Sequence, residues 1–155
     1  MFFIFMGVAG CGKTTLGKMT AEALDVPYYE GDDYHSPANV EKMSRGVPLN
    51  DDDRVGWLGA LVDIIKDGII KGESGVIACS ALKEKYRRRL RVDADQVHFI
   101  YLKGSYDLIR KRMEMRDGHY MPPALLQSQF DTLEKPEDAF TVDIAQSPEA
   151  ALEDV

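Results

Sequence analysis

The chain has 155 residues, of which 45% are hydrophobic and 29% charged, with a formal net charge of −7. That length predicts one domain, residues 1–155, large enough to bury a core. The acidic balance argues against nucleic acid or an anionic membrane surface as the main partner.

In chain order, Phe2 to Met6 is an apolar run of strand length, and Thr15 to Leu24 carries Leu16, Met19, Ala23 and Leu24 at helical spacing. Between them, Gly7-Val8-Ala9-Gly10-Cys11-Gly12-Lys13-Thr14 fits G-x-x-x-x-G-K-[ST]. Strand, glycine loop and helix form the setting a phosphate-binding loop requires; a plain glycine-rich turn is the alternative. The glycines let backbone N–H groups turn around a phosphate, and the helix N-terminus adds a favourable dipole. Residues Gly7 to Thr15 are therefore expected to bind a nucleoside triphosphate, with Lys13 at the β- and γ-phosphates and Thr14 on Mg²⁺. Alkylation of Cys11, inside this loop, is expected to block ATP binding.

Asp25-Val26-Pro27 breaks the first helix, and Tyr28 to Glu30 reads as a second strand ending in the polar cluster Gly31-Asp32-Asp33-Tyr34-His35. Ligands of open α/β sheets bind beyond the carboxyl ends of strands, so this cluster and the phosphate loop are expected to share a crevice. Ser36-Pro37 predicts the start of a short helix carrying Lys42 and Arg45. Asn50-Asp51-Asp52-Asp53-Arg54 opens the next. Three acids at a helix start complement its dipole, whereas Arg54 works against it and is expected to grip an anion. Trp57, Leu58, Leu61, Val62, Ile65 and Ile69 give that helix its core face.

Gly75 to Ala78 is a buried third strand ending in Cys79-Ser80-Ala81-Leu82-Lys83, and Val97 to Leu102 is a fourth. Neither ends in the aspartate that P-loop GTPases and ATPases place there for Mg²⁺. The available carboxylates are Glu30, Asp32 and Asp33, which moves the reading toward small-molecule kinases. Lys83 to Arg91 holds six of the 19 basic residues. A solvated helix face and a cation site are both open readings there. Ser105 caps a helix with Leu108, Ile109 and Met113 toward the core and Arg112 and Arg116 adjacent on another face. The following loop contains Gly118, His119, Pro122 and Pro123, and a closing lid over about 112–123 is expected. A helix over Ala124 to Leu133, a fifth strand over Thr141 to Ile144 and a last helix after Ser147-Pro148 complete the chain. His98 falls in a strand and reads as structural, while His35 and His119 fall in polar loops.

Strands alternating with helices predict an α/β fold with a parallel sheet covered on both faces. Phosphoryl transfer needs positioning and charge neutralisation more than covalent chemistry. Asp32 is expected to orient or deprotonate an acceptor hydroxyl, Arg112 and Arg116 to stabilise developing charge, and the lid to exclude water. Phe2 to Met6 lacks the basic region and cleavage site of a signal peptide, and no run approaches membrane-spanning length. The two cysteines, Cys11 and Cys79, form no C-x-x-C and no metal spacing. A cytoplasmic location is expected.

Several longer blocks carry a family resemblance: Met6-Gly7-Val8, Gly31-Asp32 with His35, Asn39-x-Glu41-Lys42-Met43, Pro48-Leu49-Asn50-Asp51-Asp52-Asp53-Arg54 with Trp57-Leu58, Cys79-Ser80-Ala81-Leu82-Lys83, Arg116-x-Gly118-His119 and Gln129-Phe130. Over Met6 to about Ile144 the chain resembles the gluconokinases, a group of shikimate-kinase-like P-loop kinases. The resemblance implies a three-layer fold with strand order 2-3-1-4-5, transfer of the ATP γ-phosphate to the 6-hydroxyl of D-gluconate, and a homodimer. It places Asp32, which keeps the spacing to His35, on the acceptor side, and His35, Lys42, Arg54, Lys83 and His119 around the sugar acid. It places Arg116 and the loop at Gln146 near the adenine. A kinase for shikimate or a nucleoside monophosphate, and a regulatory ATP-binding module without turnover, are the alternatives.

Overall fold

The computed structural model describes residues 1–115 and 123–155. Several helix starts can be traced to a local signal. Helix α1 (Lys13–Leu24) follows strand β1 (Phe2–Met6) through the glycine loop, and strand β2 (Tyr28–Glu30) runs into a 3₁₀ turn at Gly31–Tyr34. Ser36 caps α2 (Pro37–Ser44) by accepting from the Asn39 N–H, with Pro37 in the first turn. Asn50 and Asp53 exchange bonds in a capping box that opens α3 (Asp51–Ile70). Beyond it lie β3 (Gly75–Ala78), α4 (Glu84–Leu90), β4 (Val97–Lys103), α5 (Tyr106–Glu114), α6 (Pro123–Thr132), β5 (Phe140–Asp143) and α7 (Pro148–Asp154). Ser105 and Ser147 cap α5 and α7.

The five strands form one sheet in the order β2-β3-β1-β4-β5, every pairing parallel. This is the order the family resemblance implies. Alternation along the inner strands divides the core between the two faces. Ile4, Met6, Ile77, Phe99 and Tyr101 pack with Trp57, Leu58, Leu61, Ile65 and Leu90 of α3 and α4. Phe5, Val76, Ile100 and Leu102 pack with Leu16, Ile109, Leu126 and Ala151 of α1, α5, α6 and α7. Burying both faces of a parallel sheet produces three layers. Register brings the strand ends level, with Phe5 and Glu30 both opposite Ala78, and the Gly7 N–H donates to the Ser80 carbonyl at 3.1 Å. The loops after β1, β2 and β3 therefore open on one side, as expected for a shared crevice. Gly31 makes this convergence possible: a Cβ there would lie 2.3 Å from the Ala78 carbonyl oxygen.

Candidate active site

On the donor side, the loop is shaped by backbone. Gly10 and Gly12 adopt φ of 77° and 99°, a left-handed region that glycine occupies without a steric penalty. The Lys13 ammonium donates to the Gly7 and Val8 carbonyls, both at 3.0 Å, and lies 3.9 Å from Cys11 Sγ. Cys11 is only 1% exposed. Burial thus works against the expected alkylation, because a reagent reaches the thiol only if the loop opens. The Thr14 hydroxyl donates to Glu30 Oε2 at 2.7 Å, and the Tyr28 hydroxyl donates to the same oxygen at 2.6 Å. Burial, then the Glu30 bond, holds the Tyr28 phenol well above its ordinary range.

The acceptor side is built from side chains of separate segments. His35 stacks on Trp57, with ring centroids 4.4 Å apart at 16°, and the Trp57 indole N–H donates to the Gly31 carbonyl at 2.7 Å. This pins the 3₁₀ turn that carries Asp32. The His35 side chain is 4% exposed against 75% for Asp32, with Nε2 and Oδ1 3.9 Å apart. Burial lowers the His35 pKa below 6.5, so the ring is neutral at neutral pH. The Asn39 amide lies 3.4 Å from His35 Nδ1; as donor, it makes Nδ1 the acceptor and leaves the proton on Nε2, facing Asp32.

Arg54 Nη1 donates to the Tyr86 hydroxyl at 2.9 Å, and the Tyr86 hydroxyl donates to Asp51. Asp51 also accepts from Lys83 at 3.1 Å and from Lys85. Lys85 first, then Tyr86 and Lys83, hold the Asp51 carboxyl far below the usual carboxylate range. Arg54, Lys83 and Lys85 all sit within 6 Å of the Tyr86 ring centre. Among the described residues Arg54 pairs with no carboxylate, so its fork is available to an anion.

The two sides meet in one cleft of about 880 Å³ lined by Lys13, Thr14, Glu30, Asp32, His35, Arg54 and Lys83, among others. A second cleft, of about 690 Å³, lies beyond Gly10, Gly12 and Thr15, which line both. Arg112 and Gln146 line this second cleft, where Arg112 Nη2 donates to the Gln146 carbonyl at 3.4 Å. The structure thus sets Arg112 away from Asp32, on the far side of the loop. Lys42 does not line the first cleft; its ammonium bonds Asp53 at 2.6 Å and ties α2 to the capping box of α3. Arg116, His119 and most of the expected lid lie outside the described residues.

The chain matches the family model described as shikimate kinase over residues 9–141. It is 48% identical to a thermosensitive gluconokinase of Escherichia coli (strain K12) over 135 residues, 87% of this chain and 72% of that one. It is 41% identical to a gluconokinase of Gluconobacter oxydans (strain 621H), covering 99% and 88% of the two chains. The chain belongs to the shikimate kinase family, on its gluconokinase branch. The crystal structure of a gluconokinase from Sinorhizobium meliloti 1021 superposes with a TM-score of 0.90 at 41% identity, covering 98% of this chain and 87% of that one.

Four polar groups of this gluconokinase-family site had no site role in the sequence, Asp51 being read only as complementing the helix dipole. Tyr86 and Asp51 order the cations, Asn39 sets the His35 tautomer, and Gln129 of α6 accepts the Ala9 N–H at 2.6 Å. The Gln129-Phe130 block marked α6, but nothing local marks a helix residue for a bond 120 positions away. Arg87 was hidden in the basic stretch. It is 1% exposed and donates to the Ala81 and Glu134 carbonyls at 2.7 and 2.8 Å. Ala81 has φ 43°, an unusual value for a residue with a Cβ. Arg87 therefore fixes the turn between Ser80 and Lys83.

Proposed function

We propose that the protein transfers the γ-phosphoryl group of ATP to the 6-hydroxyl of D-gluconate, giving ADP and 6-phospho-D-gluconate. One observation carries this reading: in a gluconokinase-family chain, the phosphate loop and an Asp32–His35–Arg54 wall line the same cleft. Gluconate is a polyhydroxy carboxylate. Arg54 offers its carboxylate a bidentate fork, and Lys83 adds a second cation at the same wall. Asp32 and neutral His35 hold hydroxyls. Asp32 takes the proton of the attacking hydroxyl as its oxygen bonds the γ-phosphorus. The bond from that phosphorus to the β-bridging oxygen breaks, ADP leaves, and the proton passes on to water. Lys13 neutralises phosphate charge. Lys42 acts through Asp53, by holding the first turn of α3 and hence Arg54.

The residues present fit Mg²⁺. Thr14 and Glu30 place two hard oxygen ligands one hydrogen bond apart at the end of the loop, and Mg²⁺ in kinase sites takes few protein ligands besides water and phosphate. Bound there, it supplies neutralisation of phosphate charge. Arg112 and Gln146 belong to the second cleft and are assigned to the adenosine side of ATP. Arg116 and His119 are assigned to a lid over about 112–123 that excludes water. The chain is read as one domain acting as a homodimer in the cytoplasm.

ADP release from MgATP across gluconate, other aldonic acids, shikimate, AMP and CMP tests the reading. Saturable turnover with gluconate supports it. Turnover confined to shikimate or a nucleotide keeps the kinase and discards the acceptor. ATP binding with no turnover would favour a regulatory module. Sedimentation velocity tests the dimer.

A further inference from the structure

Helix α6 turns Leu125, Ser128, Gln129 and Thr132 toward the first cleft. The Thr132 hydroxyl is committed, donating to the Ser128 carbonyl at 2.8 Å. Gln129 is only half committed. Its Oε1 accepts the Ala9 N–H at 2.6 Å. A carboxamide also carries an NH₂ group with two donors, and no described residue accepts from it. Gln129 lines the cleft that holds Lys13 and Asp32, and with its oxygen on the phosphate loop its NH₂ is the polar group left for that cleft.

The helix carrying this side chain is firmly seated. Leu126 is 2% exposed, and Phe130 packs edge-on against Tyr106 at 5.6 Å. Just past its end, the Glu134 N–H donates to the Leu82 carbonyl at 2.7 Å, and the Glu134 carbonyl accepts from buried Arg87. Residues on packed helices hold a geometry better than residues on loops. Arg112, the described arginine expected over the transferring group, lines the other cleft. Charge in phosphoryl transfer spreads over the equatorial oxygens of the moving group, and preorganised donors aimed there lower the barrier.

We propose that Gln129 is a further catalytic residue: its Oε1 holds the Ala9 amide of the phosphate loop while its NH₂ donates hydrogen bonds to the phosphoryl group in transit. It gives up no proton and forms no covalent bond; the bonds made and broken are those of the transfer described above. The proposal rests on the phosphoryl-transfer reading. A plain structural tie between α6 and the loop is the competing role, and it needs only the oxygen.

Two variants of the full chain separate these roles at saturating MgATP and acceptor. Gln129→Glu keeps an oxygen for the Ala9 N–H and loses both donors; Gln129→Met loses both functions without adding charge. A donor role predicts that kcat falls about 10²- to 10³-fold in each, with the thermal unfolding midpoint of Gln129→Glu unchanged. For Gln129→Met, affinity for ADP with aluminium fluoride, Mg²⁺ and acceptor should fall by a similar factor while affinity for ADP alone holds. Near-normal kcat in Gln129→Glu would overturn the proposal. So would a loss in Gln129→Met that is equal for ADP and the fluoride complex. Wild-type protein without acceptor-dependent turnover would overturn the underlying reading and this one with it, whereas an active wild type with active variants sinks this one alone.

Discussion

The two sides of the cleft are built differently. The donor side is one contiguous run, Gly7 to Thr15, whose shape comes from backbone torsions at glycines and from Lys13 folding back onto its own loop. The acceptor side draws on the turn after β2, the start of α3 and the turn into α4, cross-tied by Asp51, Tyr86 and Trp57. A phosphate needs many N–H groups and one dipole, which a single loop supplies. A sugar acid needs a cation and hydroxyl partners at set separations, which only packed elements can hold.

The sharpest break in this comparison is Asp32→Asn, which removes the proposed acceptor-side base and leaves the loop untouched. A kcat loss of about 10²- to 10⁴-fold with ATP affinity preserved is expected from steady-state kinetics and nucleotide titration. Unchanged kcat would remove Asp32 from the mechanism. Arg87→Met tests the scaffold behind the acceptor wall. It strands the Ala81 and Glu134 carbonyls and should cost about 3 kcal/mol in urea unfolding; a loss within error would mean that the turn holds itself. Tyr86→Phe keeps the ring and removes the hydroxyl that bridges Arg54 and Asp51. The acceptor KM should rise about tenfold, roughly 1.4 kcal/mol, with the KM for ATP unmoved; equal changes in both would argue against separate walls.

The smallest effect is a pH dependence. Burial keeps the folded His35 pKa below its ordinary 6.5, so the unfolded chain binds the proton first. Stability should therefore decline as pH falls from 6.5 toward the folded pKa and level off below it. Asp51 and Asp53, both held below 3.8, lose their contributions only as pH falls from about 3.8 toward their lower folded values, well below the His35 window. The decline that starts at 6.5 is thus assigned to His35, and His35→Asn should flatten it. A decline of the same size in that variant would assign it elsewhere.

Local chemistry made much of this legible. Ser36-Pro37, Asn50, Ser105 and Ser147-Pro148 each signalled a helix start because capping is settled within four residues. Arg54 stood out because a cation in a first turn opposes the dipole, and among the described residues its fork has no carboxylate partner. The basic stretch after Lys83 was ambiguous for a physical reason. Helical periodicity groups residues on a face without saying what covers it, so exposed Arg88, at 76%, and buried Arg87, at 1%, look alike.

By itself the sequence determined the strand–loop–helix phosphate site, the alternation that makes a parallel sheet and the acceptor candidates at the ends of its strands, because these depend on neighbours along the chain. Tertiary structure alone decided that Arg112 faces the second cleft, that Lys42 secures a cap, that Arg87 is buried and that Gln129 reaches the phosphate loop. Each depends on which helices the sheet brings together, and a side chain's partner across that distance is set by packing rather than by spacing.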